Sequence, residues 1–160
     1  MSALLLTGSM PEYISGIEGA YAMRWFQKDR PPDVWEFAAD QPLGDIGAAQ
    51  KIREICASAA SIAETMTAGA GGKAANNKAE KNKAVEGERY QAAVRRALEI
   101  AKQISDDQMR DVSVSQIIGL SVKAGHMKTA RVLLRAIRSE KTRRELVADN
   151  PELIDQEAAS

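Results

Sequence analysis

The sequence has few of the residues that build catalytic centres. Aromatic residues make up 4% of its 160 residues, with one cysteine and one histidine. A single cysteine cannot form an internal disulfide, which fits a reducing compartment. A metal site with one histidine would need several carboxylates, and in the acidic cluster Asp106, Asp107 and Asp111 the first two are explained as helix-capping residues. We therefore expect a protein that is not an enzyme and uses no metal or cofactor.

Net charge is also lacking, as are long hydrophobic runs. Lysine plus arginine, 22, equals aspartate plus glutamate, 22, so bulk charge does not favour a protein that coats nucleic acid. No segment approaches the roughly 18 apolar residues needed to cross a bilayer. Residues 3–6 are too short for a signal peptide and lack a basic flank. We expect a soluble, cytoplasmic protein with no membrane partner.

Alternating β-branched and aromatic residues, which are typical of strands, are absent. Hydrophobic residues reach 44%, with alanine prominent beside long charged side chains, and this composition favours helix. The sequence predicts an all-α fold of antiparallel helical hairpins stacked as a short repeat-like bundle of roughly six to seven helices. Residues 1–66 are expected to form an N-terminal helical segment, 67–80 a flexible linker, and 81–160 helical hairpins with a C-terminal cap, probably within one compact domain overall.

Apolar spacing and capping residues place the individual helices. A capping box predicts that the first helix starts at Ser9. A short aromatic turn is expected at residues 34–39, and Asp45 begins a long helix that runs to about Thr67. Later helices are expected near residues 79–104, 107–124, 127–137, 142–148 and 151–156.

A helix pattern recurs in the second half of the chain at an offset of 33 residues. Ala97 corresponds to Ala130, and Ile104 corresponds to Ile137. A period near 33 with two helices per unit is typical of α-helical repeats. The stretch 90–146 resembles the tetratricopeptide-like repeats. The resemblance implies stacked antiparallel helix pairs that bind a peptide or protein.

The few aromatic residues are concentrated near the N-terminus and are the first candidate for partner binding. Either they cap a small core or they line a groove for a partner, since aromatics dominate binding hot spots. The cluster consists of Tyr21, Trp25, Phe26, Trp35 and Phe37.

A basic stripe is the second candidate. Lys128, Arg131, Arg135 and Arg138 follow one another at spacings of three, four and three, which predicts one helix face. This face is either solvated or directed at an acidic segment or phosphates. No aromatic stands among these bases to stack on nucleobases, which argues against single-strand binding.

Three functional hypotheses follow, of which the first leads. The protein is an adaptor, or an export or assembly chaperone, that holds a protein or peptide partner. Alternatively, it is a nucleic-acid-associated helical protein that uses the basic stripe. A third hypothesis is self-assembly as a homo-oligomer through the alanine-rich face of residues 52–66. Cys56 on that face is interpreted as a buried structural thiol and His126 as a solvated turn residue, with no evident reason to meet.

Overall fold

The described part of the chain is helical throughout. The computed structural model describes residues 31–37, 42–68 and 77–154, so the helix predicted from Ser9 and most of the predicted linker lie outside it. Five α-helices occur in these ranges: α1 Gly44–Ala68, α2 Asn77–Ala101, α3 Asp107–Lys123, α4 Met127–Ala136 and α5 Glu140–Asp149. Two short 3₁₀ turns, Val34–Glu36 and Pro151–Leu153, stand where the sequence predicts short helices. The expected six to seven helices are therefore five in the described ranges.

The chain divides into two compact units, Met1–Asp33 and Val34–Ser160, and all five helices belong to the second. In that unit α1 packs against both α2 and α3. The buried residues of α1 recur at steps of three and four, so they form one continuous apolar face: Ala48, Ile52, Ile55, Ala59, Ile62 and Ala63. Alanines on this face let the neighbouring helix approach closely, and each fully buried isoleucine contributes about 1.5–3 kcal/mol through the hydrophobic effect.

This packing corrects the self-assembly hypothesis. The alanine-rich face of α1 is covered within one chain, because Ile52, Ile55 and Ala59 are each 0% exposed. It is therefore unavailable as the contact between copies.

The helix α3 lies at the centre of the unit, where it contacts α1, α2, α4 and α5. Because it has neighbours on several sides, its buried residues do not keep to one narrow stripe. Ser113 and Ser121 are buried among them, and each hydroxyl donates to the carbonyl oxygen four residues earlier, at 2.9 Å in both cases. These bonds satisfy polar groups that water cannot reach.

The end of α3 matches the sequence expectation. Gly125 has a φ of 73°, a left-handed conformation that glycine adopts without strain. The N–H of Gly125 donates to Val122 O at 2.9 Å, and the N–H of His126 donates to Ser121 O at 2.8 Å. This pair of bonds is a Schellman motif, which ends α3 and turns the chain into α4.

Candidate functional site: a groove between α1 and α3

The described aromatic residues of the N-terminal cluster cover the core. Trp35 is 6% exposed, and its 3₁₀ turn contacts α1 and α2. The Phe37 ring lies between two cations, with Lys51 Nζ at 4.5 Å and Arg96 Cζ at 4.9 Å from its centroid. These two aromatics are thus engaged within the fold. The other members lie outside the described residues: Tyr21, Trp25 and Phe26.

The basic stripe is shorter than its spacing predicts. Helix α4 ends at Ala136, and the C-cap residue Ile137 is extended with a ψ of 125°, so Arg138 lies beyond the helix. Its guanidinium Nη1 is 2.8 Å from both carboxylate oxygens of Asp107. Arg138 therefore does not belong to the helical face.

The remaining stripe residues belong to α4. Arg131 Nη2 donates to the carbonyl oxygen of Glu152 at 2.9 Å, which ties α4 to the last 3₁₀ turn. Lys128 and Arg135 are exposed. For the nucleic-acid hypothesis this is a smaller cationic surface than the sequence suggested.

Two aspartates hold the chain where helices begin. Asp45, near the start of α1, accepts the backbone N–H of Ser105 at 3.0 Å and that of Asp106 at 2.9 Å. Asp111 in α3 accepts the N–H of Arg138 at 3.0 Å and that of Ser139 at 2.7 Å. We call these contacts the Asp45 clasp and the Asp111 clasp.

The Asp45 clasp also fixes one end of α3 beside the start of α1. Backbone N–H groups of Ser105 and Asp106, together with the Ser105 hydroxyl, hold the pKa of the Asp45 carboxyl below its ordinary value. Asp106 in turn is the N-cap of α3 and accepts the N–H of Met109 at 2.7 Å. The distance between the two helices is thereby set at this end.

The acidic cluster named in the sequence is accounted for by such contacts. Asp107 pairs with Arg138 and with Arg110, whose Nη2 is 2.7 Å away, while Asp106 and Asp111 bind backbone N–H groups. Within the described ranges no group of three or more histidine, cysteine, aspartate or glutamate side chains could hold a metal ion.

His126 is placed differently from its expected position in a solvated turn. It is half-buried, and its ring meets that of Tyr90 edge-on, with centroids 4.8 Å apart and an interplanar angle of 78°. Burial raises the pKa of Tyr90, while the neighbouring Ser121 hydroxyl lowers it and Cys56 raises it slightly further. Burial also raises the pKa of the Cys56 thiol to about 11, so this thiol is protonated at neutral pH.

A groove runs along the side of α1 and α3 that faces solvent. It consists of two adjoining hollows of about 470 Å³ and about 420 Å³, which share Arg53 and Gln116 as lining residues. The first hollow has apolar walls formed by Ile46, Ala49, Met109 and Val112. The second is lined mainly by small residues, among them Ala57, Ala60 and Gly119. We call this surface the α1–α3 groove.

Large apolar side chains are exposed on this groove. Ile46 is 68% exposed and Val112 is 48% exposed. They are two of the five large hydrophobic side chains that are exposed in the described ranges, and they lie on the same hollow. The sequence did not identify this surface, because its residues lie outside the apolar stripes and include alanine, glycine and glutamine.

Comparison with known proteins identifies no relative. The chain matches no family model, and neither a curated protein nor a solved structure resembles it significantly. The resemblance to tetratricopeptide-like repeats therefore stays a prediction. None of the described helices has the length and apolarity to cross a membrane.

Proposed function

We propose that this protein is a non-enzymatic interaction module, an adaptor or an export or assembly chaperone, that holds a segment of a partner protein in the α1–α3 groove. The observation that carries the proposal is the exposure of Ile46 and Val112 on one hollow. Apolar side chains gathered at a concave surface gain free energy when a partner removes them from water. The fold buries its other α1 residues, so this exposure is not a consequence of a missing core.

The geometry of the two C-terminal hairpins supports a modular reading of the scaffold. Ala97 and Ala130, 33 residues apart, are both 0% exposed, and Ile104 and Ile137 are 3% and 1% exposed. The helix that follows begins at residue 107 in one case and at residue 140 in the other, again 33 residues apart. We infer that α2–α3 and α4–α5 are copies of one hairpin module.

The two clasps recur at the same positions of this module. The Asp45 clasp binds residues 105 and 106, and the Asp111 clasp binds residues 138 and 139, each 33 positions later. Each clasp joins the start of a helix to the helix two positions earlier in the chain. In the proposed stack, α1, α3 and α5 form one row, and the groove lies between the first two members of that row.

A photocrosslinking experiment tests the function. A photoreactive phenylalanine analogue at position 112 should crosslink to a discrete partner in extracts of the native host, because this position lies on the groove. The matched control is the same analogue at Val85 on α2, which is 52% exposed but does not line the groove. The measurement is the set of crosslinked species identified by mass spectrometry.

The result has a defined failure. If positions 112 and 85 yield the same proteins in the same amounts, the groove has no specific occupant and the proposed function is wrong. A species that appears only at position 112, and that disappears when Ile46 is changed to aspartate, supports it.

A further inference from the structure

We infer that the occupant of the α1–α3 groove is an amphipathic α-helix of a partner protein, about four turns long, with an acidic residue that meets Arg53. This inference rests on the proposed function and adds the chemistry of the partner. It is argued from the length of the groove, the backbone groups that border it and its charges.

The length of the groove suits a short helix. Along α1 its lining residues run from Ile46 to Ala60. At 1.5 Å per residue this stretch is about 21 Å long, which corresponds to about four helical turns. Gly119 and the small residues of the second hollow let a helix approach closely, whereas Ile46 and Val112 offer larger apolar contacts at the other end.

The borders of the groove favour a helix over an extended segment. Both walls are α-helices whose backbone N–H and C=O groups are bonded within the helix, so the groove has no strand edge with which a peptide backbone could pair. An extended segment buried there would leave most of its backbone polar groups without partners. A helix satisfies these groups internally and presents only side chains.

The charge of the groove selects the partner. Arg53 lines both hollows and therefore lies where they meet. It is exposed and, within the described residues, forms no ion pair or hydrogen bond. The other charged groups are already engaged, since Asp106 caps α3 and Lys123 Nζ lies 3.1 Å from Glu64. A carboxylate on the bound helix would supply Arg53 with a bidentate partner.

The same features disfavour a second copy of the chain in a symmetric dimer. A two-fold contact through the groove would place the same surface on both subunits. Two concave surfaces would then face each other, and the two Arg53 guanidinium groups would meet near the centre. The first arrangement leaves unfilled space and the second brings like charges together.

A peptide selection tests the inference. The probe is a display library of helical peptides of about 16 residues with a fixed Ala/Leu face and one randomised position at its centre. Wild-type protein should enrich aspartate or glutamate at this position. The Arg53→Glu variant should enrich lysine or arginine instead.

Binding measurements quantify the charge swap. Fluorescence anisotropy should show the selected acidic peptide binding about tenfold more weakly to Arg53→Glu, because a charged hydrogen bond is lost and repulsion replaces it. The matched control is Arg95→Glu, an exposed arginine of α2 away from the groove, and it should leave the affinity unchanged. Arg53 is exposed, so its replacement should preserve the fold, which circular dichroism verifies.

The outcomes separate this inference from the proposed function. If no helical peptide is selected, or if no acid is enriched, while the crosslink at position 112 persists, the helix inference is wrong and the interaction module stands. If the crosslink is also absent, both are wrong. A concentration-dependent dimer in sedimentation that Val112→Asp abolishes would identify a second copy as the occupant and overturn the inference.

Discussion

For individual side chains, burial determines which groups are available for chemistry. The two residue types most often used for nucleophilic catalysis each occur once, as Cys56 and His126. The fold places Tyr90 against His126 and close to Cys56, and it raises the pKa of the thiol to about 11. These side chains therefore contribute to packing where α1, α2 and the end of α3 meet.

This placement predicts a weakly reactive cysteine. A rise of the thiol pKa from 9.0 to about 11 lowers the thiolate fraction at neutral pH by about a hundredfold, and the thiolate is the reactive species. Alkylation of Cys56 by iodoacetamide should be at least that much slower in the native protein than in urea. The rate is followed by mass spectrometry. Equal rates in the two states would show that the thiol is exposed and ordinary.

Between elements, buried carboxylates replace local sequence signals as the cause of helix boundaries. The periodicity of residues 130, 133, 134 and 137 predicts one helix to residue 137, yet α4 ends at Ala136 and Arg138 leaves it. The Asp111 clasp explains this, because it binds the N–H groups of Arg138 and Ser139 and holds the chain extended before α5. Ser139 is then the N-cap of α5 and accepts the N–H of Thr142 at 3.3 Å.

Removal of the Asp111 carboxylate should destabilise the protein. Asp111 is 3% exposed, so Asp111→Ala leaves two N–H groups near a buried site without their acceptor. We expect the free energy of unfolding to fall by about 1–3 kcal/mol. Urea denaturation followed by circular dichroism gives the value.

Asp149→Ala is the matched control. Asp149 is the last residue of α5 and is exposed, so its replacement should change stability by less than about 0.5 kcal/mol. A loss from Asp111→Ala no larger than this would mean that the clasp does not hold α5.

Across the whole molecule, several carboxylates stabilise the folded state only while they are ionised. The pKa of Asp45 is lowered by the N–H groups of Ser105 and Asp106, that of Asp107 chiefly by its hydrogen bond with Arg138, and that of Glu140 chiefly by its hydrogen bond with Arg143. A group whose pKa is lower in the folded state stabilises the fold above its unfolded pKa. This contribution is lost as the pH falls through the folded pKa.

The sign of these shifts predicts an acid-sensitive fold. The free energy of unfolding should be nearly constant from pH 7 to about pH 5 and should fall steadily below about pH 4, where these carboxyl groups bind protons. Urea midpoints measured from pH 7 to pH 3 test this. In Asp45→Asn the decline should be shallower, since one of the contributing groups no longer titrates. A midpoint independent of pH over this range would contradict the assignment.

The amino-acid sequence alone determined what depends on short spacings. The helical class, the buried stripe of α1, the capping role of Asp106 and the glycine that ends α3 at residue 125 all follow from residues within a few positions of one another, because helix periodicity and capping are local. The 33-residue offset was also visible, and it corresponds to matching burial at Ala97 and Ala130.

Only the tertiary structure decided which surfaces remain exposed. The α1–α3 groove exists because the Asp45 clasp joins positions 60 residues apart and because α2 covers one side of α1, leaving the side with Ile46 and Arg53 open. In the sequence these residues read as an ordinary solvated face. A groove is a property of the distance between two helices, and that distance is set by long-range packing and hydrogen bonds that no local pattern records.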